Sequence, residues 1–371
     1  MRVLLVSGTF PPMPCGVGDY TAHLATALGR RKDVRAGVLT SRGAVAPVTG
    51  DVEVLPLVET WRIREAPRIA GCIRRFSPDV VHVQYPTHEY RAVQWILPAI
   101  ARLANGPVVQ TWHEYYSPRN WPSVLNAAMP GGLVVVRPSY LEKMPNWYRS
   151  LLRGKEFRFI PNASSIPTVL LPETDRRSIR TAYNAADSNL LAFFGFASPS
   201  KGIETLFDIA DPAAHRIVLI CDLRSDDPYH QDILRKIESR EWAGKVFVTG
   251  FIPPGEVGRI LAASDAVVFP FRDGGGLWNS SLHGAVAQGT FVLTTSRDRQ
   301  GYDPDMNVFY SPPGNIQAMR QALRDHLGRK KIVDTPARDP WDDIAEAHVE
   351  LYRTLLSRIR PSTRADGKQR Q

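Results

Sequence analysis

The stretch DAVVFPFRDGGGLWNSSLHGAVAQGT, residues 265–290, decides how the rest of the chain is read. A short apolar run rich in Val and Phe reads as a strand covered on both faces. Gly274, Gly275 and Gly276 then strip side chains from a loop, and Asn279, Ser280 and Ser281 supply N-cap chemistry for a helix. Strand, glycine-rich loop and helix start are the parts of an anion-binding turn, because the first N–H groups of a helix have no intrahelical acceptor. The loop's only acid is Asp273.

Two other stretches repeat the arrangement. In FFGFASPSKGIETL (193–206), Lys201 and Gly202 enter a helix. A lysine there opposes the helix dipole and makes sense if its ammonium reaches a phosphate. A solvated lysine is the plainer alternative. In GTFPPMPCGVGDY (8–20), Gly16 and Gly18 allow close backbone approach at a helix start. The spacing is not the GxGxxG of dinucleotide binding, and a turn without a ligand is its competing reading.

Outward from these loops, short apolar runs alternate with amphipathic ones. RVLLVSG (2–8), RAGVLT, VEVLPLV, DVVHVQY (79–85), PVVQTWH (107–113) and GLVVVRP (132–138) read as strands. The segment FRFIPNASSIPTVLLPETD (157–175), with three prolines, breaks the rhythm and reads as a linker. The rhythm restarts with NLLAFFGF (189–196) and continues through RIVLICD, KVFVTGFI, DAVVFPF and TFVLTTS. The fold expected is α/β: two tandem doubly wound, Rossmann-like parallel sheets facing across a cleft. The domains expected are 1–165 and 166–340, with 341–371 as a closing helix and tail on the first. Ligands of such sheets bind beyond the strand C-termini, which places the loops 8–19, 113–120, 196–202 and 271–281 at the cleft.

Composition narrows the partners. A chain of 371 residues, 43% hydrophobic and 22% charged, has material for two cores. No apolar run approaches the ~18–20 residues of a membrane span. The start MRVLLVSGTFPP reads as a first strand rather than a signal peptide. Cys15, Cys72 and Cys221 show no metal-ligand spacing and are expected as reduced thiols in a cytoplasmic protein. The net charge is +9, and all of the excess lies in residues 1–165, which hold 20 basic and 11 acidic residues. That half is expected to meet phosphate-rich partners, including an anionic membrane at its inner face. WRIREAPRIAGCIRRF (61–76) and NWYRSLLRGK (146–155) mix aromatic, aliphatic and basic residues as membrane-surface segments do, although a sheet-covering helix explains the first equally well. No nucleic-acid motif accompanies the charge, so nucleic acid is not an expected partner. No HExxH, GxSxG or GxxxxGK[ST] pattern occurs. Asp303-Pro304-Asp305 reads as a surface turn rather than a metal-holding DxD, so no metal is expected.

The chain resembles the GT-B glycosyltransferases of the large retaining family numbered four. FPPMPCGVGDYTAHLATAL resembles that family's first loop and helix, and DVVHVQY and VVQTWHE its fourth and fifth strands. GFASPSKGIETL, VTGFIPPGEVGRILAASDAVVFPFRDG and DPWDDIAEAHVELYRTLL resemble its donor domain and closing helix. The resemblance implies transfer of a sugar from a UDP- or GDP-sugar to a saccharide or lipid-linked acceptor, in cell-surface polysaccharide or glycoconjugate synthesis. It implies retention of configuration and neither metal nor other cofactor. The second domain would bind the donor and the first the acceptor. Lys201 would pair with the diphosphate, Gly16 and Gly18 would approach the phosphate, and His113 would lie near the transferred sugar. Gly250, Phe251 and Ile252 match the backbone that reads the base. Gly274, Gly275, Gly276, Asn279, Ser280 and Ser281 match the donor loop. Tyr85, His88, Glu114 and Arg119 are acceptor candidates at the cleft edge.

The chain departs from the family in its first loop, where Cys15 precedes Gly16 in place of a glycine pair, and at three further positions. Phe196 stands where the family carries an arginine, and Gly276 and Gly284 stand where it carries two glutamates. Asp273 is therefore assigned the sugar hydroxyls, and His283 is the candidate for the ribose. The missing acids motivate a competing class, a catalytically silent GT-B protein that binds nucleotide sugars in a glycan assembly complex. A nicotinamide-dependent oxidoreductase is a third class, which NAD binding would reveal.

Overall fold

The structure, a computed structural model, describes the chain apart from residues 45–49, 88, 91–96, 115–120 and 360–371 and the side chains of 104, 105, 121–123 and 359. The chain divides into two compact units, one of residues 1–162 with 338–371 and one of residues 163–337.

The first unit is built on seven strands: β1 (Arg2–Val6), β2 (Arg35–Ser41), β3 (Val52–Val58), β4 (Val80–Tyr85), β5 (Val108–Trp112), β6 (Gly132–Val135) and β7 (Glu156–Phe159). They pair in the order β3-β2-β1-β4-β5-β6-β7, every pair parallel. Val3, Leu4, Leu5 and Val6 are all fully buried, as an unbroken apolar run requires of a strand with helices on both faces. The helices are α1 (Gly16–Gly29), α2 (Ala66–Phe76), α3 (Leu97–Asn105), α4 (Trp121–Ala128) and α5 (Asn146–Ser150). In α2, Pro67 sits in the first turn, where its missing N–H costs nothing. Ile69, Cys72, Ile73 and Phe76 face the core while Arg74 and Arg75 stay exposed. Trp61 and the apolar residues of α2 are thus spent on the core, while Ile63 stays 55% exposed.

The second unit repeats the design with β8 (Asn189–Phe194), β9 (His215–Ile220), β10 (Val246–Val248), β11 (Ala266–Phe269), β12 (Val292–Thr295), β13 (Gly301–Asp303) and β14 (Val308–Ser311). Their order is β10-β9-β8-β11-β12-β14-β13, parallel except for the antiparallel edge strand β13. Its helices are α6 (Glu173–Ala182), α7 (Thr205–Ile209), α8 (Pro228–Glu238), α9 (Pro254–Ala263), α10 (Ser280–Val286) and α11 (Ile316–His326). Between β13 and β14 the Asp303 carboxylate accepts from the N–H groups of Asp305 (3.0 Å) and Met306 (3.2 Å), so the DxD string is a turn.

The last helix, α12 (Pro340–Ile359), returns to the first unit, where it packs on α1, β6 and β7. Gly132 makes room for it: a Cβ there would lie 2.9 Å from Leu355 and 3.0 Å from Val109. Arg30 bridges Asp339 (2.8 Å) and Asp342 (2.5 Å), and Arg353 meets Asp33 at 2.6 Å. In each sheet the strand order reverses once, between β1 and β4 and between β8 and β11. Those reversals open a crevice at the strand C-termini.

Candidate active site

In the second unit the crevice is lined by the loops after β8 and β11, and the structure clamps the two together. Residues Pro199–Lys201 form a short 3-10 turn that ends at Gly202. Gly202 is left-handed (φ 64°), and a Cβ on it would overlap the Pro270 carbonyl oxygen, so only glycine fits. The Arg272 N–H donates to the Ser200 carbonyl at 3.0 Å. The Arg272 guanidinium pairs with Glu204 at 2.7 Å, and the Tyr229 hydroxyl donates to the same carboxylate at 2.7 Å. Lys201 thereby lies on a rigid turn beside the glycine loop, its ammonium 4.7 Å from the centroid of the Phe271 ring.

Each loop glycine has its own steric reason. Gly274 is left-handed at φ 81°. A Cβ on Gly275 would overlap the Phe271 ring, and one on Gly276 would overlap the Trp278 indole. The Asn279 side chain turns back to accept from the Gly276 N–H at 3.0 Å and makes no cap bond to the helix it precedes. That differs from the expectation that Asn279 caps α10. Among the described residues the N–H groups of Ser280 and Ser281 make no hydrogen bond to protein, so both are open to an anion.

The acid-bearing positions behave differently. Asp273 is 85% exposed, its carboxylate 3.5 Å from Arg297, whose Nε donates to the Asp273 carbonyl at 3.0 Å. Gly284 is buried against Ile166: a Cβ there would lie 3.1 Å from its side chain and 3.5 Å from the Ser164 hydroxyl. His283 donates from Nε2 to the Leu277 carbonyl at 2.7 Å, so that nitrogen is not available to a ribose. Beyond β10, Gly250 is left-handed at φ 68°, Ile252 is half-buried and Phe251 is 66% exposed. The Phe251 and Phe196 rings meet edge to face at 6.1 Å, so an aromatic pair occupies the position where sequence resemblance led to an arginine.

In the first unit the crevice contains the start of α1. Cys15 is the N-cap, extended at φ −158°, and its side chain makes no cap bond. Among the described residues the N–H groups of Gly16, Val17 and Gly18 carry no bond to protein. Gly18 is there because a Cβ would lie 3.1 Å from the Thr9 backbone, while Gly16 faces open space. Asp19 follows in the first turn. Burial raises its carboxyl to about 6, and composition gave no sign of that.

His113 is partly exposed at the end of β5, its N–H bonded to the Tyr85 carbonyl at 2.8 Å. Its ring meets Tyr20 edge to face at 4.6 Å, and Nε2 lies 2.9 Å from the Gln84 amide oxygen. Burial pulls the imidazole down to about 3, so the ring is neutral at ordinary pH. Glu114, the next residue, pairs with Arg137, a cation that the sequence reading missed because it lies beyond β6 and no motif marks it. The Tyr140 hydroxyl donates to the Glu114 carbonyl at 2.9 Å. Tyr85, expected to touch the acceptor, does not reach the surface: its side chain is fully buried and packs edge to face on Tyr90 at 5.5 Å. Every side chain of β4 points into covered space, which leaves an acceptor no access to that ring. His88 and Arg119 lie outside the described residues. Among the described residues no cluster of His, Cys, Asp and Glu could hold a metal ion, and no helix is long and apolar enough to cross a membrane.

Comparison with known proteins bears on the fold and the family. The family described as "Glycosyl transferase 4-like domain" matches residues 15–154, and "Glycosyl transferases group 1" matches residues 188–329. No curated protein matches. Among solved structures, Anabaena HepE in complex with UDP and glucose is similar over 97% of this chain and 98% of its own, with 15% identity and a TM-score of 0.69. Sucrose-phosphate synthase from Thermosynechococcus elongatus is similar over 96% of this chain and 94% of its own, with 17% identity and a TM-score of 0.65. WaaG, a glycosyltransferase involved in lipopolysaccharide biosynthesis, is similar over 98% of this chain and 100% of its own, with 15% identity and a TM-score of 0.59. The two sheets form the GT-B fold, and with a family match on each of them the chain belongs to the group 1, 4-like glycosyltransferases.

Proposed function

We propose that the chain moves a sugar from a nucleotide diphosphate sugar to a saccharide or lipid-linked acceptor, with retention of configuration and without a metal. The observation that carries this reading is the clamped pair of loops in the second unit. It holds the Lys201 ammonium against Phe271 of the glycine loop, and that loop leads into the helix whose Ser280 and Ser281 N–H groups are open. Donors aimed where a leaving diphosphate gains charge are the main source of rate in such chemistry. UDP is the favoured nucleotide, because HepE is described with UDP, with UDP-glucose and with UDP and glucose. GDP remains the second choice.

In this reading Lys201 and the Ser280–Ser281 helix start hold the diphosphate. Gly250, Phe251 and Ile252 receive the base. The anomeric carbon–phosphate oxygen bond breaks. The acceptor hydroxyl forms the new bond on the same face, and its proton passes to the departing phosphate. His113 orients the sugar and Asp273 binds its hydroxyls. Glu114, held by Arg137, belongs to the acceptor side. The basic first unit, with Trp147 exposed beside Arg149 and Arg153, is assigned to an anionic membrane at the cytoplasmic face, as synthesis of a cell-surface glycan on a lipid carrier requires.

The second reading, a protein that binds nucleotide sugars without turnover, rests on one observation. The two positions of the missing acids are filled by Trp278 and Ile166, and the loop's only carboxylate is exposed and paired with Arg297. Calorimetry with UDP and GDP, together with assays of UDP-glucose hydrolysis and transfer, separates the two. Tight UDP binding with neither hydrolysis nor transfer across acceptors would sink the transferase reading.

A further inference from the structure

Behind His113 lies a buried polar chain that no motif announced. The Gln84 amide bridges two imidazoles, its oxygen 2.9 Å from His113 Nε2 and its nitrogen 3.2 Å from His82 Nε2. His82 Nε2 also lies 2.7 Å from the Thr111 hydroxyl, and His82 Nδ1 lies 2.6 Å from the hydroxyl of Tyr352 on α12. Gln84, His82, Thr111 and Tyr352 are all fully buried. His348 is tied separately, donating from Nδ1 to the Ile344 carbonyl at 2.7 Å.

The chain can run in two directions, because a half-turn of the Gln84 amide exchanges its oxygen and nitrogen in place. If His113 donates from Nε2 to Gln84, then Gln84 N–H and Thr111 O–H compete for the single lone pair of His82 Nε2. His82 must then donate from Nδ1 to Tyr352, whose own proton has no acceptor. Besides the second Gln84 N–H, which has no partner among the described residues in either direction, two buried protons are left unmet. In the reverse direction Tyr352 donates to His82 Nδ1. His82 donates from Nε2 to Thr111 and to the turned Gln84 carbonyl, and the Gln84 N–H donates to His113 Nε2. Apart from that second Gln84 N–H, only the Thr111 proton is then unmet. Buried donors without acceptors are the costly state, so the reverse direction wins.

We propose that Gln84 is a positioning residue that, oriented by His82, Thr111 and Tyr352, confines the proton of neutral His113 to Nδ1. His113 then offers a hydrogen-bond donor and no basic nitrogen, because Nε2 is spent on Gln84. Toward a sugar it binds an oxygen and does not abstract a proton. That consequence rests on the transferase reading; the tautomer itself does not.

The test is nitrogen-15 NMR of the histidine rings in the whole protein, with the His113 signals assigned through a His113→Gln variant. The expected result is one His113 tautomer, protonated at Nδ1. In Gln84→Glu the carboxylate has no N–H to give, so the His113 proton moves to Nε2. Should that buried charge prevent folding, Gln84→Met unhooks the ring, and both tautomers appear. Turnover in either variant drops through kcat with the donor KM held. A wild-type His113 protonated at Nε2, or a His113 that stays protonated only at Nδ1 in the altered proteins, overturns the proposal. A protein with the Nδ1–H form and no sugar transfer supports the relay and counts against the transferase reading alone.

Discussion

The ammonium of Lys201 stands 4.7 Å from the centre of the Phe271 ring, and that ring fills the space that a side chain on Gly275 would need. The glycine loop and Lys201 are therefore one mechanical unit. Lys201→Ala is expected to weaken UDP binding by about 1.5–3 kcal/mol, the scale of a charged hydrogen bond. Phe271→Leu removes only the ring face and is expected to cost about 0.5–1 kcal/mol of UDP affinity. Calorimetric titration reads both, and an unchanged affinity in Lys201→Ala would turn the ammonium away from the phosphate.

Gly275→Ala tests the same unit from the other side. The new methyl group collides with Phe271, which is buried and stacked on Phe269 at 5.6 Å. Overpacking of this kind costs about 1–3 kcal/mol, so the urea midpoint is expected to fall and UDP affinity with it. A loop that tolerates alanine in both measurements would mean that Phe271 moves freely.

Restoring an acid at the helix position is expected to fail. In Gly284→Glu the Cβ meets Ile166 at 3.1 Å in a buried setting, and the carboxylate must give up hydration to enter it. A loss of about 2–3 kcal/mol is expected, visible as a lower Tm. Adding Ile166→Ala is expected to return part of it. A stable single variant with tighter UDP binding would show that the pocket of the missing glutamate still exists.

Asp273 separates sugar from phosphate. Because its carboxylate is exposed and shared only with Arg297, Asp273→Ala is expected to leave stability and UDP affinity unchanged while raising the KM for UDP-glucose. Steady-state kinetics decides it, and full activity in this variant would leave the loop with no acid for the sugar.

Acid sensitivity follows from the buried histidines. Desolvation holds His82 well below its ordinary 6.5 and lowers His348 to about 4. The unfolded chain therefore takes up these protons first. Their contribution is complete above pH 6.5 and is lost progressively as pH falls from there toward 4, by up to about 1.4 kcal/mol per pH unit for each ring. Urea unfolding between pH 6.5 and 5 is expected to show this slope, and His348→Gln is expected to flatten it. Because the raised Asp19 carboxyl acts in the opposite sense in this window, the difference between the wild type and His348→Gln is decisive, and an identical slope in the two would mean that His348 does not need to stay neutral.

Period and loop chemistry made much of this protein legible in advance. Unbroken runs such as RVLLV and NLLAFF, bounded by turn residues, read as strands covered on both faces, and SKG and GGG mark backbone that a Cβ would obstruct. Two parallel sheets, the turn that carries Lys201 and the glycine loop follow from local features that composition and spacing carry. Tertiary structure decided what depends on residues far apart in the chain. Tyr85 looked like a site residue and is core, because its strand is covered on both faces. Gly284 is small because Ile166, more than a hundred residues earlier, occupies its neighbourhood. The neutral state of His113 and the chain behind it through Gln84 and His82 end on Tyr352 of the last helix. Strand and turn signals lie within a few residues of one another, whereas a buried hydrogen bond is set by whichever distant side chain fills the space.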